Sequence, residues 1–503
     1  MEILADSFRP QEALSLQVAD AMVRKINNIK KGPHTNSDIE FVISCGDNGD
    51  SQQQNELQNY VNVLDGRKVI PNTATPGKYI GVQDNTLTVN FQSYYHPDIA
   101  ISPEFLDLYK VGYGFPSFQN ILNEASKPFV PTGLIYPWYT ANGNHDCTKL
   151  GNYGLGSFSM LRLINQLGIG QLPDGLGSQL IQAMDPQLAR EFVVALETQN
   201  AELALEIIKK SVLREVPPST KRLLYTPAEF LSTHFNTTKS PGPVGHGFTE
   251  ENVINNTLYY KFNVSKCVTG FVLNTCNPSG NLDDPNLAPN GSIGRIQLSW
   301  LESELAKYHS TYYNVLGELV KTGNEDKLCI LFSHHNHSTM DNIYNELDAA
   351  DNDPQKIDGI DFIKVIQRYP NVVLWVNGHT HRNIVTPIYN LNMFSNKYDN
   401  YCYNGFWEIN TASFIDFPEQ ARIIEIANNC DGTLSLFGTI INHLSPPEVD
   451  HCGTKYSITE MASISRSLSF NDPFNDARTR GGLPKDRNVE LLINNPLLRN
   501  YIK

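Results

Sequence analysis

The chain has 503 residues, 40% hydrophobic and 10% aromatic, enough for a packed core and, by length, two to three domains or one domain with large insertions. With 53 acidic against 39 basic residues it carries a formal charge of −14, which argues against a nucleic-acid or anionic-membrane surface. A polyanionic ligand would need a local positive charge, and a metal ion is the obvious source. No apolar stretch reaches the roughly 18 to 20 residues of a membrane span, and MEILADSFRPQEALS lacks the basic region and apolar core of a secretory signal.

In chain order, residues 11–29 place Leu14, Val18, Met22, Ile26 and Ile29 on one helical face, behind Pro10 as a first helical residue. FVISC (41–45) reads as a buried strand that breaks at Gly46-Asp47. A Gly/Pro/Asn-rich stretch from 66 to 100 reads as loop or edge strands, and GLIYPWYTA (133–141) as the next core strand, ending at Gly143-Asn144-His145-Asp146. Helical patterns over 155–232 interrupt the alternation and read as an insertion, either a lid or a packing element. YYKFNV and TGFVLNT resume the strands, followed by the helix QLSWLESELAKYH and the strand KLCILFS (327–333), which ends at His334-His335. A helix around 358–368 leads into VVLWV, which breaks at Asn377-Gly378 and delivers His379 and His381. FWEINTAS (406–413) and ARIIEIANN (421–429) are the later strands, and the polar tail from 470 is expected to lie over the surface. Strand-helix alternation indicates an α/β fold. The expected division is 1–154 and 251–469 as two parts of one core, 155–250 as the helix-rich insertion and 470–503 as the tail.

None of the eight cysteines forms a C-x-x-C pair, which argues against a structural zinc ribbon. Cys45 and Cys329 lie in apolar strands and read as reduced core residues; Cys267/Cys276 and Cys430/Cys452 could pair if the protein is exported.

In open α/β sheets ligands gather beyond the carboxyl ends of the strands. Four such ends each offer an Asp, Asn or His: Asp47, Asn144 with His145, His334, and His379 with His381. Carboxylate, amide oxygen and imidazole together suit Zn, Mn, Fe or Co better than Ca. His379 and His381 flank Thr380, so an extended segment could reach two ions, and Asp47 could bridge them. Two ions about 3.5 to 4 Å apart clamp a phosphoryl group and lower the pKa of a shared water. His145 is then placed as general acid or as a donor to developing charge, with Asp146 to orient its ring.

Taken in order, G-D-x-x-D at 46–50, GNHD at 143–146, a strand-end His at 334 and GHTH at 378–381 resemble the calcineurin-like metallophosphoesterase superfamily. The stretches FRPQEALS, ISCGDNGDSQQQNEL, YYHPD, PWYTANGNHD, FWEINTASFIDFPEQAR and PKDRNVELL extend the resemblance over most of the chain, to a bacterial subfamily of poorly defined substrate. The resemblance implies a double β-sheet flanked by helices and a dinuclear site, with Asp47 bridging, Asn144, His334 and His379 on the second ion and His381 on the first. It implies hydrolysis of a small-molecule phosphoric mono- or diester by metal-bound hydroxide, with no covalent enzyme intermediate. The family's opening D-x-H strand has no counterpart beyond Asp6-Ser7-Phe8, so the sequence reads as a truncation, a mis-called start or a degenerate member. Site one then keeps Asp47 and His381, and one tightly held ion is expected. The rival reading is a non-catalytic metal-binding scaffold; a nuclease is disfavoured by the acidic balance. The compartment stays open, cytoplasmic as given or exported if a segment precedes Met1, and so does the oligomeric state.

Around these motifs, Asp50 reads as a turn residue rather than a ligand, and His335 and His337 as outer or surface groups. Tyr95, His96 and Asp98 line either a cleft or a packed loop, and Glu408, Asn410 and Asp416 are candidates to support the site. His34, His234, His246, His309, His443 and His451 have no motif context and read as surface or core.

Overall fold

The computed structural model describes residues 8–73, 75–84, 94–100, 106–148, 151, 191, 194–195, 198, 200–210, 219–237, 240–280, 289–343, 352–388, 405–450, 452–474 and 477–501. Asp6, His451 and most of the 155–200 stretch lie outside them.

The first helix, α1 (Ser15–Asn28), follows a short 3-10 turn over Glu12–Leu14 and buries Val18, Ala21, Met22 and Val23. Strand β1 (Val42–Ser44) comes next, then helix α2 (Gln54–Asp65), whose first turn is fixed by a capping box between Gln53 and Glu56. The second core strand, β2 (Trp138–Thr140), pairs in parallel with β1, Val42 beside Trp138. It is shorter than GLIYPWYTA predicts. Pro137 has no N–H to donate, and only its carbonyl serves the sheet, accepting from Val42 N. A single turn, α3 (Asn144–Cys147), carries the GNHD motif, and α4 (Pro227–Phe235) starts with Pro after an N-cap Thr226.

The larger sheet has six strands: β3 (Tyr260–Ser265), β4 (Val268–Val272), β5 (Leu328–Phe332), β6 (Val372–Asn377), β7 (Ile384–Ile388) and β8 (Phe406–Asn410). Their order is β7-β8-β6-β5-β4-β3, with β4, β5, β6 and β8 parallel and the two outer strands antiparallel to their neighbours. The chain is therefore a mixed α/β protein. The inner strands are buried on both faces, as a covered parallel sheet requires. Leu328, Ile330 and Phe332 of β5 point into one core with Trp138 and Leu57, while Cys329 and Leu331 point into the other. That second core is closed by α5 (Arg295–Ala306) and α6 (Gly359–Ile366).

A separate antiparallel sheet joins β9 (Gln420–Asn428), β10 (Thr433–Asn442) and β11 (Val489–Asn494). Helix α7 (Ile458–Asn471) packs on α1 through Ala462 beside Val18 and Ala21. The stretch expected to be a surface tail thus contributes a paired strand. Its pattern is only six residues long and interrupted by Leu491-Leu492-Ile493, too irregular to read alone as a period-2 strand.

Asp65, at the end of α2, has a fully buried side chain that accepts from Trp138 Nε1 (3.1 Å) and Thr237 Oγ1, pairs with Arg67 (3.2 Å) and faces His246 Nε2 at 3.5 Å. Burial alone would raise its carboxyl, but hydrogen bonds from His246 and Thr237 hold it below the usual range. Asp65→Ala strands these donors and should cost about 3 kcal/mol, read as a lower denaturant midpoint at unchanged slope. Because the folded pKa lies below the unfolded value near ~3.9, that contribution is complete above about pH 4 and is lost as pH falls further. The gap between wild type and variant should close in acid.

Candidate metal centre

The site forms where β1, β2, β5 and β6 end. Beyond β1 the chain turns at Gly46 (φ 95°), where a Cβ would lie 2.7 Å from Gly143 N and 2.8 Å from His334 Nδ1, so only glycine fits. Asp47 (φ 54°), His379 (φ 69°) and His381 (φ 57°) are non-glycine residues in the left-handed region. Such conformations cost on the order of 1–3 kcal/mol each and cluster where function over-determines the backbone. Three of the five expected ligands share this strain.

Gly143 makes the complementary close approach, since a Cβ there would fall on the Asp47 carboxylate. Gly143→Ala should therefore displace Asp47, lowering metal affinity by at least about tenfold (about 1.4 kcal/mol), checked by titration with Zn²⁺ against a chelating dye. An unchanged affinity would mean that the 143–146 turn has room to move.

Asp146 holds the two loops together. Its oxygens accept from Gly143 N (2.8 Å), Asn48 N (3.1 Å), Gly49 N (3.2 Å) and Tyr225 OH (3.0 Å). Burial, with the charge of Asp47 close by, pushes its carboxyl up to about 6. The expected role of orienting His145 falls elsewhere: the atom facing His145 Nδ1, at 2.6 Å, is the carbonyl of Asp50. The Asp50 carboxylate lies 3.7 Å from the same nitrogen. Asp50 thus acts through its backbone carbonyl as well as its charge, and the carbonyl's part is one that no sequence pattern could show.

Four of the expected ligands lie in a run of close contacts. His334 Nδ1 lies 2.8 Å from the Cys45 carbonyl, which can only accept, so Nδ1 carries a proton and Nε2 is the nitrogen turned toward the other side chains. That nitrogen sits 3.0 Å from Asp47 Oδ2 and 3.2 Å from His379 Nδ1, and His379 Nδ1 is 3.1 Å from Asn144 Oδ1. Asn144 spends its amide N–H on the Gly151 carbonyl at 3.3 Å, which leaves the oxygen turned inward. Electron-rich atoms this close repel unless a cation or a proton lies among them. Neighbouring ligands on a metal with bonds of about 2.0–2.2 Å are about 2.8–3.1 Å apart in an octahedron and about 3.3–3.6 Å in a tetrahedron. The observed contacts of 3.0, 3.1 and 3.2 Å lie at the upper end of the octahedral spacing and just above it, and the donor set of one carboxylate, one amide oxygen and two imidazoles suits a first-row divalent ion. Burial would raise Asp47, but the imidazoles of His334 and His145 hold it well below the carboxylate range. Burial, followed by the neighbouring His335 and His334, keeps His379 well below the usual imidazole value. Ionised carboxylate and neutral imidazole are the ligating forms.

His335 also comes close: a ring nitrogen each from His334, His335 and His379 lie within 4.8 Å of one another. Its nitrogens are already engaged. Nε2 donates to the Pro289 carbonyl (3.1 Å), and Nδ1 accepts from Thr275 Oγ1 (3.0 Å), whose oxygen in turn accepts from His335 N (3.1 Å). Burial, with His334 adjacent, pushes the ring down to about 3. His335 supports the centre from outside it. His337 turns away, with Nδ1 on Glu408 Oε2 at 2.6 Å.

His381 is anchored on Asp416, with Nδ1 2.6 Å from Oδ2. His145 donates its backbone N–H to Asp47 Oδ1 at 3.0 Å, which ties it to the ligand loop, and its ring is raised: burial opposes this, but Asp47 and Asp50 outweigh it. Asn410 braces the 378–381 turn through Gly378 O and Thr380 Oγ1, and Glu408 accepts from Asn377 Nδ2 at 3.0 Å. Tyr95 and His96 belong to a packed loop, with Tyr95 OH on the Pro116 carbonyl (2.7 Å) and His96 N on Asp107 (3.1 Å). Cys267, Cys276, Cys430 and Cys452 are all free; Cys267 is exposed and Cys276 buried, so the two expected pairs are not formed.

No family model matches the chain, and no curated protein matches it. Among solved structures it is similar to a dimetal phosphatase from Danio rerio, at 12% identity over 57% of this chain and 88% of that one, with a TM-score of 0.26. A likeness that loose does not bear on function. Among the described residues, no helix is long and apolar enough to cross a membrane.

Proposed function

We propose that this chain is a metal-dependent hydrolase of phosphoric mono- or diesters, acting on a small-molecule phosphate ester. The observation that carries this reading is the run of close contacts from Asp47 Oδ2 to His334 Nε2 (3.0 Å), to His379 Nδ1 (3.2 Å) and on to Asn144 Oδ1 (3.1 Å). The order of the strand-end motifs, which resembles the calcineurin-like metallophosphoesterases, supports it from the sequence side. A divalent ion held by these four side chains would polarise a phosphoryl oxygen and bring the pKa of a bound water toward 7.

The chain's own groups supply the rest. With Nδ1–H committed to the Asp50 carbonyl, protonated His145 has Nε2–H as its remaining donor, directed to the leaving oxygen as general acid. His381, through Nε2, and Asp47 are the residues that would hold a second, weaker ion. In this reading residues 1–154 and 251–469 form one phosphoesterase core, the small β1–β2 sheet facing the larger one as two layers of a sandwich.

The test is metal-reconstituted hydrolysis. Chelator-stripped protein should be inactive toward aryl phosphate mono- and diesters, and Mn, Zn, Fe or Co should restore turnover with about one tightly held ion per chain. His334→Ala should remove both ion and turnover. Tight binding with no hydrolysis of any ester under any of these metals would select a metal-binding scaffold instead.

A further inference from the structure

We infer that Asp416 is the residue that positions His381, and that Arg9 and Arg480 hold Asp416 in place, so that segments near both ends of the described chain are parts of the site. The inference rests on the reading of His381 as a metal ligand. Asp416 is 1% exposed. Its Oδ1 accepts from Arg9 Nε at 2.8 Å, and its Oδ2 lies 3.5 Å from Arg9 Nη2, pairs with Arg480 Nη1 and sits 2.6 Å from His381 Nδ1. Arg480 Nη1 also comes within 3.3 Å of His381 Nδ1.

Guanidinium groups only donate and an ionised carboxylate only accepts. The 2.6 Å contact therefore places the hydrogen on His381 Nδ1, and the longer Arg480 contact is a shared approach to one oxygen. With Nδ1 committed, the ring presents Nε2 as its free lone pair, the state and orientation a metal requires. One buried carboxylate beside one imidazole would be poorly compensated, and two guanidiniums supply the missing positive charge. They also pin the loop mechanically. Arg9 reaches it across 407 positions of sequence, and Gln11 Nε2 donates to the Ile415 carbonyl at 2.8 Å beside it. Arg480 reaches it from the segment that leads into β11. Asn410 fixes the backbone of the 378–381 turn, while Asp416 fixes the ring. Asp416 and the two arginines are positioning residues; none is argued to touch substrate.

Nitrogen-15 NMR of histidine-labelled, metal-free protein, with the His381 signal assigned through His381→Asn, reads the ring directly. The expected result is protonated Nδ1 and unprotonated Nε2 in the wild type. Added Zn²⁺ should shift His381 Nε2, and Asp416→Asn should raise the zinc concentration needed by at least about tenfold, the lower end of losses seen when the group behind a ligand is removed. The responses of His334 and His379 should be unchanged in that variant. An Nε2–H tautomer in the wild type overturns the inference, whether or not the variant folds. So does an equal zinc response in Asp416→Asn, or a His381 that ignores zinc while His334 and His379 respond, in which case the four-ligand centre stands. If no imidazole responds, the metal centre itself falls along with the inference.

Discussion

Replacing Asp47 with Asn is expected to lower turnover by at least about 10³-fold and to release the tightly held ion. The substitution keeps the volume and an oxygen for the His145 N–H at 3.0 Å, so the loop has no reason to unfold. It removes the negative charge that faces His334 Nε2 at 3.0 Å. A neutral amide binds a divalent ion far more weakly than a carboxylate, and several kcal/mol of lost stabilisation correspond to about tenfold in rate for each 1.4 kcal/mol. Elemental analysis after gel filtration checks the ion, and ester hydrolysis at saturating metal checks the rate. Full activity with the ion retained would place the metal elsewhere.

The second large effect separates chemistry from ligation. His145→Ala should lower turnover by about 10²–10⁴-fold, the span usual for a positioned acid, and leave the ion count unchanged. Its ring nitrogen Nδ1 is on the Asp50 carbonyl at 2.6 Å, which casts the ring as acid and not as ligand. The sign of the pH effect follows from the raised ring: an acid works only while protonated, so turnover should fall as pH rises through the His145 pKa, which lies above the ordinary imidazole value. Asp50 is among the charges that raise it, so Asp50→Asn should move this alkaline limb to lower pH. A limb that stays put in Asp50→Asn, and persists in what activity His145→Ala retains, would assign it to another group.

Much of the centre was legible in the sequence because strand ends announce themselves. A buried apolar run that ends in a polar residue puts that residue at the rim of a parallel sheet; three such ends, marked by Gly46, Gly143 and Gly378, delivered Asp47, Asn144 and His379, and a fourth, at Ser333, delivered His334 to the same run of contacts. The glycines carried the signal, since Gly46 and Gly143 lie where no side chain fits. What stayed hidden is set by long-range contact. The sequence favoured His334 over its neighbour His335 only by resemblance; the physical reason, Thr275 and Pro289 engaging both His335 nitrogens, comes from other loops. Asp146 was misassigned because its partners, Asn48 and Tyr225, come from two distant segments. The arginines around Asp416 were not singled out: Arg9 lies in FRPQEALS, which showed no role for it, and Arg480 lies in the polar tail, and only the fold brings both to Asp416. In the fold, the alternating strands were readable and β11 was not, because its pairing with β10 supplies what its own short pattern lacks.

Anomalous diffraction from crystals of the Zn²⁺- or Mn²⁺-loaded protein reads the ligand set directly. A strong peak is expected about 2.0–2.2 Å from Asp47 Oδ2, Asn144 Oδ1, His334 Nε2 and His379 Nδ1 together. A peak bound through His335, or no ordered peak among these four atoms, would contradict it.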